Sequence, residues 1–224
     1  DLFRTLENPK IAMLAHGFAV DVKIMAKARS REQAGAMIEP VAAELRTRIG
    51  SGYYGDDDVT LAGAIVRALT ERGLTLGTAE SCTGGGIADA IVSVVGASAT
   101  FRGGIVAYAD EIKSALLDVP ERTLAESGAV SEETAVAMVR GARRRLGVDV
   151  AIATTGVAGP GGGTPEKPVG LVWYALSLGG DEIETRRLTF PGARSDVRER
   201  ATVAALGLLW RRLERDVTPP VAVP

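Results

Sequence analysis

The sequence predicts an α/β protein in which a three-layer α/β/α domain follows a smaller α+β unit. Three observations lead there. From about residue 59 onward, helix-period and strand-period segments alternate, as they do when helices cover both faces of a sheet. Two glycine-rich stretches each follow a strand candidate, the place where open α/β sheets receive ligands. A turn-rich acidic run, Ser51, Gly52, Tyr53, Tyr54, Gly55, Asp56, Asp57 and Asp58, divides that region from the first fifty residues as a linker would. The expected organisation is therefore a first unit over 1–55, a larger domain over 56–218 and a disordered tail over 219–224.

The elements follow in order. Val20, Val22, Ile24 and Ala26 alternate with Asp21, Lys23 and Lys27, which predicts a half-buried strand over Val20 to Ala28. Ser30 and Gln33 form a capping box, and Met37, Val41, Leu45 and Ile49 recur every fourth residue until Gly50 stops the helix, with a kink expected at Pro40. Leu61, Ile65 and Leu69 predict a helix ending at Gly73, and Leu74 to Thr78 a strand. Gly84, Gly85 and Gly86 open a helix with Ile87, Ile91 and Val95 inward, and Gly104 to Tyr108 reads as the next strand. Ser131 caps a helix with Glu132 and Glu133 in its first turn, Arg143, Arg144 and Arg145 in its last and Gly147 beyond it, as the helix dipole favours. Val150 to Thr155, Val169 to Leu178 and Glu182 to Phe190 are further strands, and Ser195 is expected to cap a final helix with Val203, Leu206, Trp210 and Leu213 inward.

Composition narrows the chemistry. With 224 residues, 46% of them hydrophobic, the chain can bury a sizeable core. A formal net charge of -2 supplies no basic field for nucleic acid, and no run of about 18 apolar residues predicts a membrane span. One cysteine, Cys82, and one histidine, His16, exclude an internal disulfide and a four-ligand zinc site of the usual kind. A cytoplasmic protein without metal or cofactor is expected. The chain begins at Asp1, which suggests a fragment of something longer.

The segment Thr78, Ala79, Glu80, Ser81, Cys82, Thr83, Gly84, Gly85, Gly86 joins a strand to a helix. There a hydroxyl can project at the sheet edge, and backbone N–H groups at the helix start can hold a phosphate or an oxyanion. An ordinary packed βα turn accounts for the same residues, and no Gly-Lys-Ser/Thr follows to make a P-loop. The second stretch, Thr154 to Thr164, includes Thr155 and Gly156 and serves equally as substrate wall or connector; two such loops at adjacent strand ends would form one pocket.

A nucleophile at Ser81 or Cys82 needs a base. His16 lies in the other unit and reads better as an ordinary surface residue. The larger unit holds two lysines, Lys113 and Lys167, against sixteen arginines, and of the two cations only lysine becomes a neutral base, since guanidinium stays protonated. Tyr108 and Lys113 flank the segment after the second strand of that unit and would activate a hydroxyl without histidine. A solvated Lys113 on a helix face is the plainer alternative.

The runs TAESCTGGGIADAIVSVVGAS, GGIVAYADEIKSALLDVP, GAVSEETA and TTGVAGPGGGTPEKPVGLVWYAL, in that order, closely resemble the C-terminal domain of the CinA family, over roughly Val59 to Leu213. The resemblance implies a layered α/β amidohydrolase that converts nicotinamide mononucleotide and water to nicotinic acid mononucleotide and ammonia. It implies Ser81 as nucleophile with Tyr108 and Lys113 as activating pair, and Thr155 and Arg194 at the active site. On this reading Thr83, Gly84 and Gly85 supply oxyanion N–H groups, while Gly156 lines the substrate and Arg194 or the glycine-rich helix start holds its phosphate. Residues Asn8 to Gly50 resemble the small KH-like middle domain of long family members. Those members carry a further N-terminal nucleotide-binding domain, to which the family's ADP-ribose pyrophosphatase activity belongs. No GXXG loop followed by basic residues stands in the first fifty, so this unit is expected to be a spacer and not an RNA binder. A homodimer is expected, with a recombination protein as a further partner. A non-catalytic interaction module and a hydrolase using Cys82 are the competing readings.

Overall fold

The computed structural model describes residues 1–16, 19–180 and 182–215, with the backbone alone for residue 16. The side chain of His16 and the expected tail lie outside the described residues. The chain divides between Tyr53 and Tyr54 into two compact units.

In the first unit a short helix α1 (Leu2–Thr5) precedes β1 (Lys10–His16) and β2 (Ala19–Met25), which pair antiparallel with Ile11 opposite Ile24 and Met13 opposite Val22. The strand expected over Val20 to Ala28 thus stops at Met25. β1 was not foreseen, because its continuous apolar run carries no period-2 signal. Helix α2 (Arg31–Ile49) runs through Pro40 as one element. Ser30 Oγ accepts the Gln33 N–H at 3.2 Å, while the Gln33 side chain accepts the Arg29 N–H at 3.3 Å, a reciprocal N-terminal cap.

The second unit runs α3 (Leu61–Glu71), β3 (Leu76–Glu80), α4 (Gly86–Val92), β4 (Phe101–Val106), α5 (Asp110–Leu117), α6 (Glu121–Ser127), α7 (Glu132–Leu146), β5 (Val150–Gly156), β6 (Leu171–Ser177), β7 (Glu184–Thr189) and α8 (Arg194–Arg215). The sheet order is β4-β3-β5-β6-β7. β4, β3 and β5 are parallel, whereas β6 and β7 are antiparallel additions. The reason is the connection: residues 157–170 contain no helix, and without a crossover the chain turns back beside β5. Ile65, Leu69, Ile87, Ile91, Val197 and Leu209 pack α3, α4 and α8 against one face. On the other, Leu117, Ala135, Met138 and Val139 pack α5 and α7. This is the expected three-layer α/β arrangement. Among the described residues no helix is long and apolar enough to cross a membrane.

The elements read from local signals fall within a few residues of their observed bounds, whereas α1, β1, α5 and α6 carry no such reading, and the departures at β3, α4 and α8 each have a cause. β3 begins two residues later than expected because Leu74 N–H bonds Leu69 O at 2.9 Å and closes α3 around Gly73, at φ +65°. α4 ends at Val92, so Val95 is fully exposed instead of inward. α8 starts one residue before the expected Ser195 cap, where Asp196 Oδ2 accepts the Ala193 N–H at 2.8 Å. α7 follows its local signals: Ser131 Oγ accepts the Thr134 N–H at 3.2 Å and Gly147 closes the helix at φ +61°. Within α7, a Cβ on Gly141 would lie 1.9 Å from Leu117 O, so glycine alone lets α5 approach this closely.

Successive parallel connections leave β3 and β4 toward opposite faces, α4 going to one and α5 to the other. The two chain paths part at the C-terminal ends of these neighbouring strands and leave a crevice between them.

Candidate active site

β3 is buried along its whole length and ends on Glu80, whose side chain is fully buried. That carboxylate is where the glycine loop is tied down. Oε1 accepts from Thr78 Oγ1 at 3.2 Å and from Ala88 N–H at 2.9 Å; Oε2 accepts from Thr83 Oγ1 at 2.8 Å and from the N–H groups of Gly85 and Ile87, each at 3.0 Å. A buried carboxylate needs such donors, and the first turn of a helix has orphan N–H groups to offer. Thr83 Oγ1 also meets Thr154 Oγ1 of β5 at 2.8 Å, which ties the loop to the next strand.

The loop therefore leaves the sheet in one geometry, with Ser81 and Cys82 at its start. Ser81 N–H bonds Thr154 O at 3.0 Å, and the residue is 7% exposed. β4 ends beside it: Ala107 N–H bonds Glu80 O at 2.8 Å, after which Tyr108 turns out of the sheet and is 61% exposed. One turn into α5, Lys113 points back under Tyr108 and is 1% exposed. Its Nζ donates to Tyr108 O at 2.8 Å and to Asp110 Oδ1 at 3.1 Å. From β5, Thr155 donates its hydroxyl to Ala129 O at 2.6 Å. At the start of α8, Arg194 reaches across to bond Gly159 O at 2.8 Å and the Tyr108 hydroxyl at 3.0 Å. A cavity of about 230 Å³ lies among these groups, lined by Ser81, Cys82, Tyr108, Lys113, Thr155, Gly156 and Arg194, with Asp110 and Ala129 beside them.

Ser81, Tyr108, Lys113, Thr155, Gly156 and Arg194, all named from the sequence, thus meet in one place. Thr83, Gly84 and Gly85, expected as oxyanion donors, do not line the cavity, and the N–H groups of the two glycines are taken within the loop. Gly85 N–H is held by Glu80, and Gly84 N–H by Ser81 O at 3.1 Å. Lys167, the other lysine of this unit, donates to Ser127 O at 2.6 Å and pins the second glycine-rich loop. Cys82 faces the cavity but is 4% exposed, and burial foremost, with the Glu80 charge, pushes its thiol up to about 12. Glu80 and Asp110 escaped the sequence reading. The donors to Glu80 all lie within eight residues of it, but they are mostly backbone N–H groups, which a sequence pattern does not show, and Asp110 is one of two acids at an ordinary helix start.

The Glu80 arrangement makes a stability prediction. In Glu80→Gln either orientation of the new amide turns its NH2 toward at least one backbone N–H, that of Ala88 or those of Gly85 and Ile87. A loss of about 1–3 kcal/mol for each buried group left unsatisfied is expected in urea unfolding. An unchanged midpoint would refute the role of Glu80 as the acceptor that fixes the loop.

Among the described residues no group of three or more His, Cys, Asp or Glu side chains is placed to hold a metal ion. Comparison with known proteins gives consistent matches. The CinA C-terminal domain model matches residues 58–213, and the damage-inducible protein CinA KH domain model matches residues 1–55. A CinA-like protein of Frankia casuarinae is 46% identical over 95% of this chain and 49% of its own length. One from Dictyoglomus turgidum is 43% identical over 95% of this chain and 52% of its own length. The chain spans about half the length of the curated relatives it matches. Among solved structures, competence damage-inducible protein A of Klebsiella pneumoniae is 40% identical with a TM-score of 0.66, covering 68% of this chain and 94% of that one. The competence/damage inducible protein CihA of Agrobacterium tumefaciens is 41% identical with a TM-score of 0.65, covering 66% and 91%.

Proposed function

The chain belongs to the CinA family, and from that premise we propose that it is a serine amidase that hydrolyses nicotinamide mononucleotide to nicotinic acid mononucleotide and ammonia. The observation that carries the reading is the convergence of Ser81, Tyr108 and buried Lys113 from neighbouring strand ends on one cavity. In the proposed reaction Ser81 Oγ attacks the carboxamide carbon as Lys113, with Tyr108, takes its proton. The tetrahedral adduct collapses, the proton passes to the departing ammonia, and water hydrolyses the acyl-serine to the carboxylate. With the N–H groups of Gly84 and Gly85 committed inside the loop, Arg194 is the charged donor of the cavity lining that suits the substrate's anionic groups best after Lys113 is assigned to the proton. Two of its N–H groups hold Gly159 and Tyr108, and the guanidinium has others to give.

The reading is metal-free, since one histidine and one cysteine leave no usual set of soft ligands. Ammonia release from nicotinamide mononucleotide, followed with purified protein before and after exhaustive chelation, tests it. Release at an undiminished rate in EDTA is expected. Loss with EDTA and rescue by a divalent ion would overturn the metal-free mechanism. No release in either condition would overturn the amidase reading in favour of a non-catalytic interaction role.

A further inference from the structure

We propose that Asp110 is a positioning residue that holds Lys113 Nζ in the cavity through a hydrogen bond, so that one Nζ position is left for the reacting atoms. The inference rests on the reading of Lys113 as the proton carrier for Ser81.

Lysine Nζ has three bonding directions beyond its carbon, all donors in the ammonium and two donors with one lone pair in the neutral amine that takes a proton, and at 1% exposure water does not satisfy them. Two directions are taken, by Tyr108 O at 2.8 Å and Asp110 Oδ1 at 3.1 Å. Both acceptors stand in the turn that starts α5, so the helix that carries Lys113 also carries its clamp. Asp110 itself is 55% exposed on its side chain. Its carboxylate stays hydrated on one side while one oxygen reaches inward, which spares the desolvation cost of a wholly buried pair. Neither of the other charged groups described near the cavity takes over. Arg194 has the same charge as Lys113, and Glu80 already accepts five hydrogen bonds within the loop. The third Nζ direction is then the one available to Ser81, a water molecule or the leaving amine.

Three variants of the full chain separate the hydrogen bond from the charge and from mere stability. Asp110→Asn keeps an acceptor oxygen in place and removes the charge, so most of kcat is retained. Asp110→Ala removes the acceptor, and kcat falls by about tenfold to a hundredfold, the scale of a misplaced catalytic group, with KM little changed. Asp110→Glu restores part of what Asp110→Ala loses. A second readout does not depend on activity. The Lys113 Nζ–H correlation in 15N-labelled protein, assigned by its absence in Lys113→Met, persists in Asp110→Asn and exchanges away in Asp110→Ala while melting temperatures stay close to wild type. An Asp110→Ala variant with wild-type kcat and an unaltered Nζ signal overturns the proposal, as does an Asp110→Asn variant as impaired as Asp110→Ala. If wild-type protein releases no ammonia, the amidase reading fails, and the Nζ signal still decides whether Asp110 holds the lysine.

Discussion

Ser81→Ala is expected to lose about a thousandfold or more of the ammonia-releasing rate, the scale of removing a nucleophile, while Cys82→Ser and Cys82→Ala keep a good part of it. The two residues are adjacent and both line the cavity, and thiols are intrinsically the better nucleophiles. Burial decides between them. A thiol pushed up to about 12 exists at neutral pH as thiolate in a fraction on the order of one in 100,000, whereas a hydroxyl beside a base needs no prior ionisation. The sign with pH follows: a thiolate mechanism would gain about tenfold per pH unit without levelling until about 12. Ammonia release by the three variants, together with their pH–rate profiles and that of the wild type, checks this. A dead Cys82→Ser beside an active Ser81→Ala would transfer the reaction to the thiol, as would a pH–rate profile of Ser81→Ala that retains the wild-type rate and climbs with pH while that of Cys82→Ser does not.

Lys113→Arg is expected to lose about two or more orders of magnitude in kcat, although it keeps the positive charge. Guanidinium does not deprotonate in the useful range, so it retains the electrostatics and removes the base. Lys113→Ala removes both and should fall at least as far. Measuring kcat for the two variants, with thermal melting of each to exclude unfolding of a helix that buries this side chain, separates the roles. A near wild-type arginine variant beside a dead alanine variant would show that only charge is needed. It would move the base to Tyr108, whose hydroxyl already accepts from Arg194 at 3.0 Å.

Much of the fold was legible because its signals are local. The Ser131 cap, the Glu132 and Glu133 start and the Gly147 stop of α7 depend on contacts within about one helical turn, and one-dimensional spacing records those. β1 and the antiparallel β6 and β7 were harder to read. An unbroken apolar run has no period, and strand direction is set by whether the connection can cross the sheet.

For the candidate site the division has a different physical origin. The sequence by itself determined the residue types able to act: one histidine, one cysteine, two lysines in the larger unit, and motifs whose resemblance names Ser81, Tyr108, Lys113, Thr155 and Arg194. It also placed Ser81, Tyr108 and Thr155 at or just beyond strand ends and Arg194 beside a helix start, because those are local features. Only the tertiary structure decided which polar groups remain free. The N–H groups of the glycine-rich helix start looked available for an oxyanion or phosphate, yet Glu80 takes those of Gly85, Ile87 and Ala88. Cys82 looked reactive until burial and the neighbouring Glu80 raised its thiol. Lys113 and Lys167 looked alike until one met Asp110 beside the cavity and the other met Ser127 O. Most of these partners lie within a few residues along the chain, and only that of Lys167 comes from a distant segment; what spacing does not record is which way each side chain turns and how deeply the fold buries it, and those set the hydrogen bonds and the desolvation.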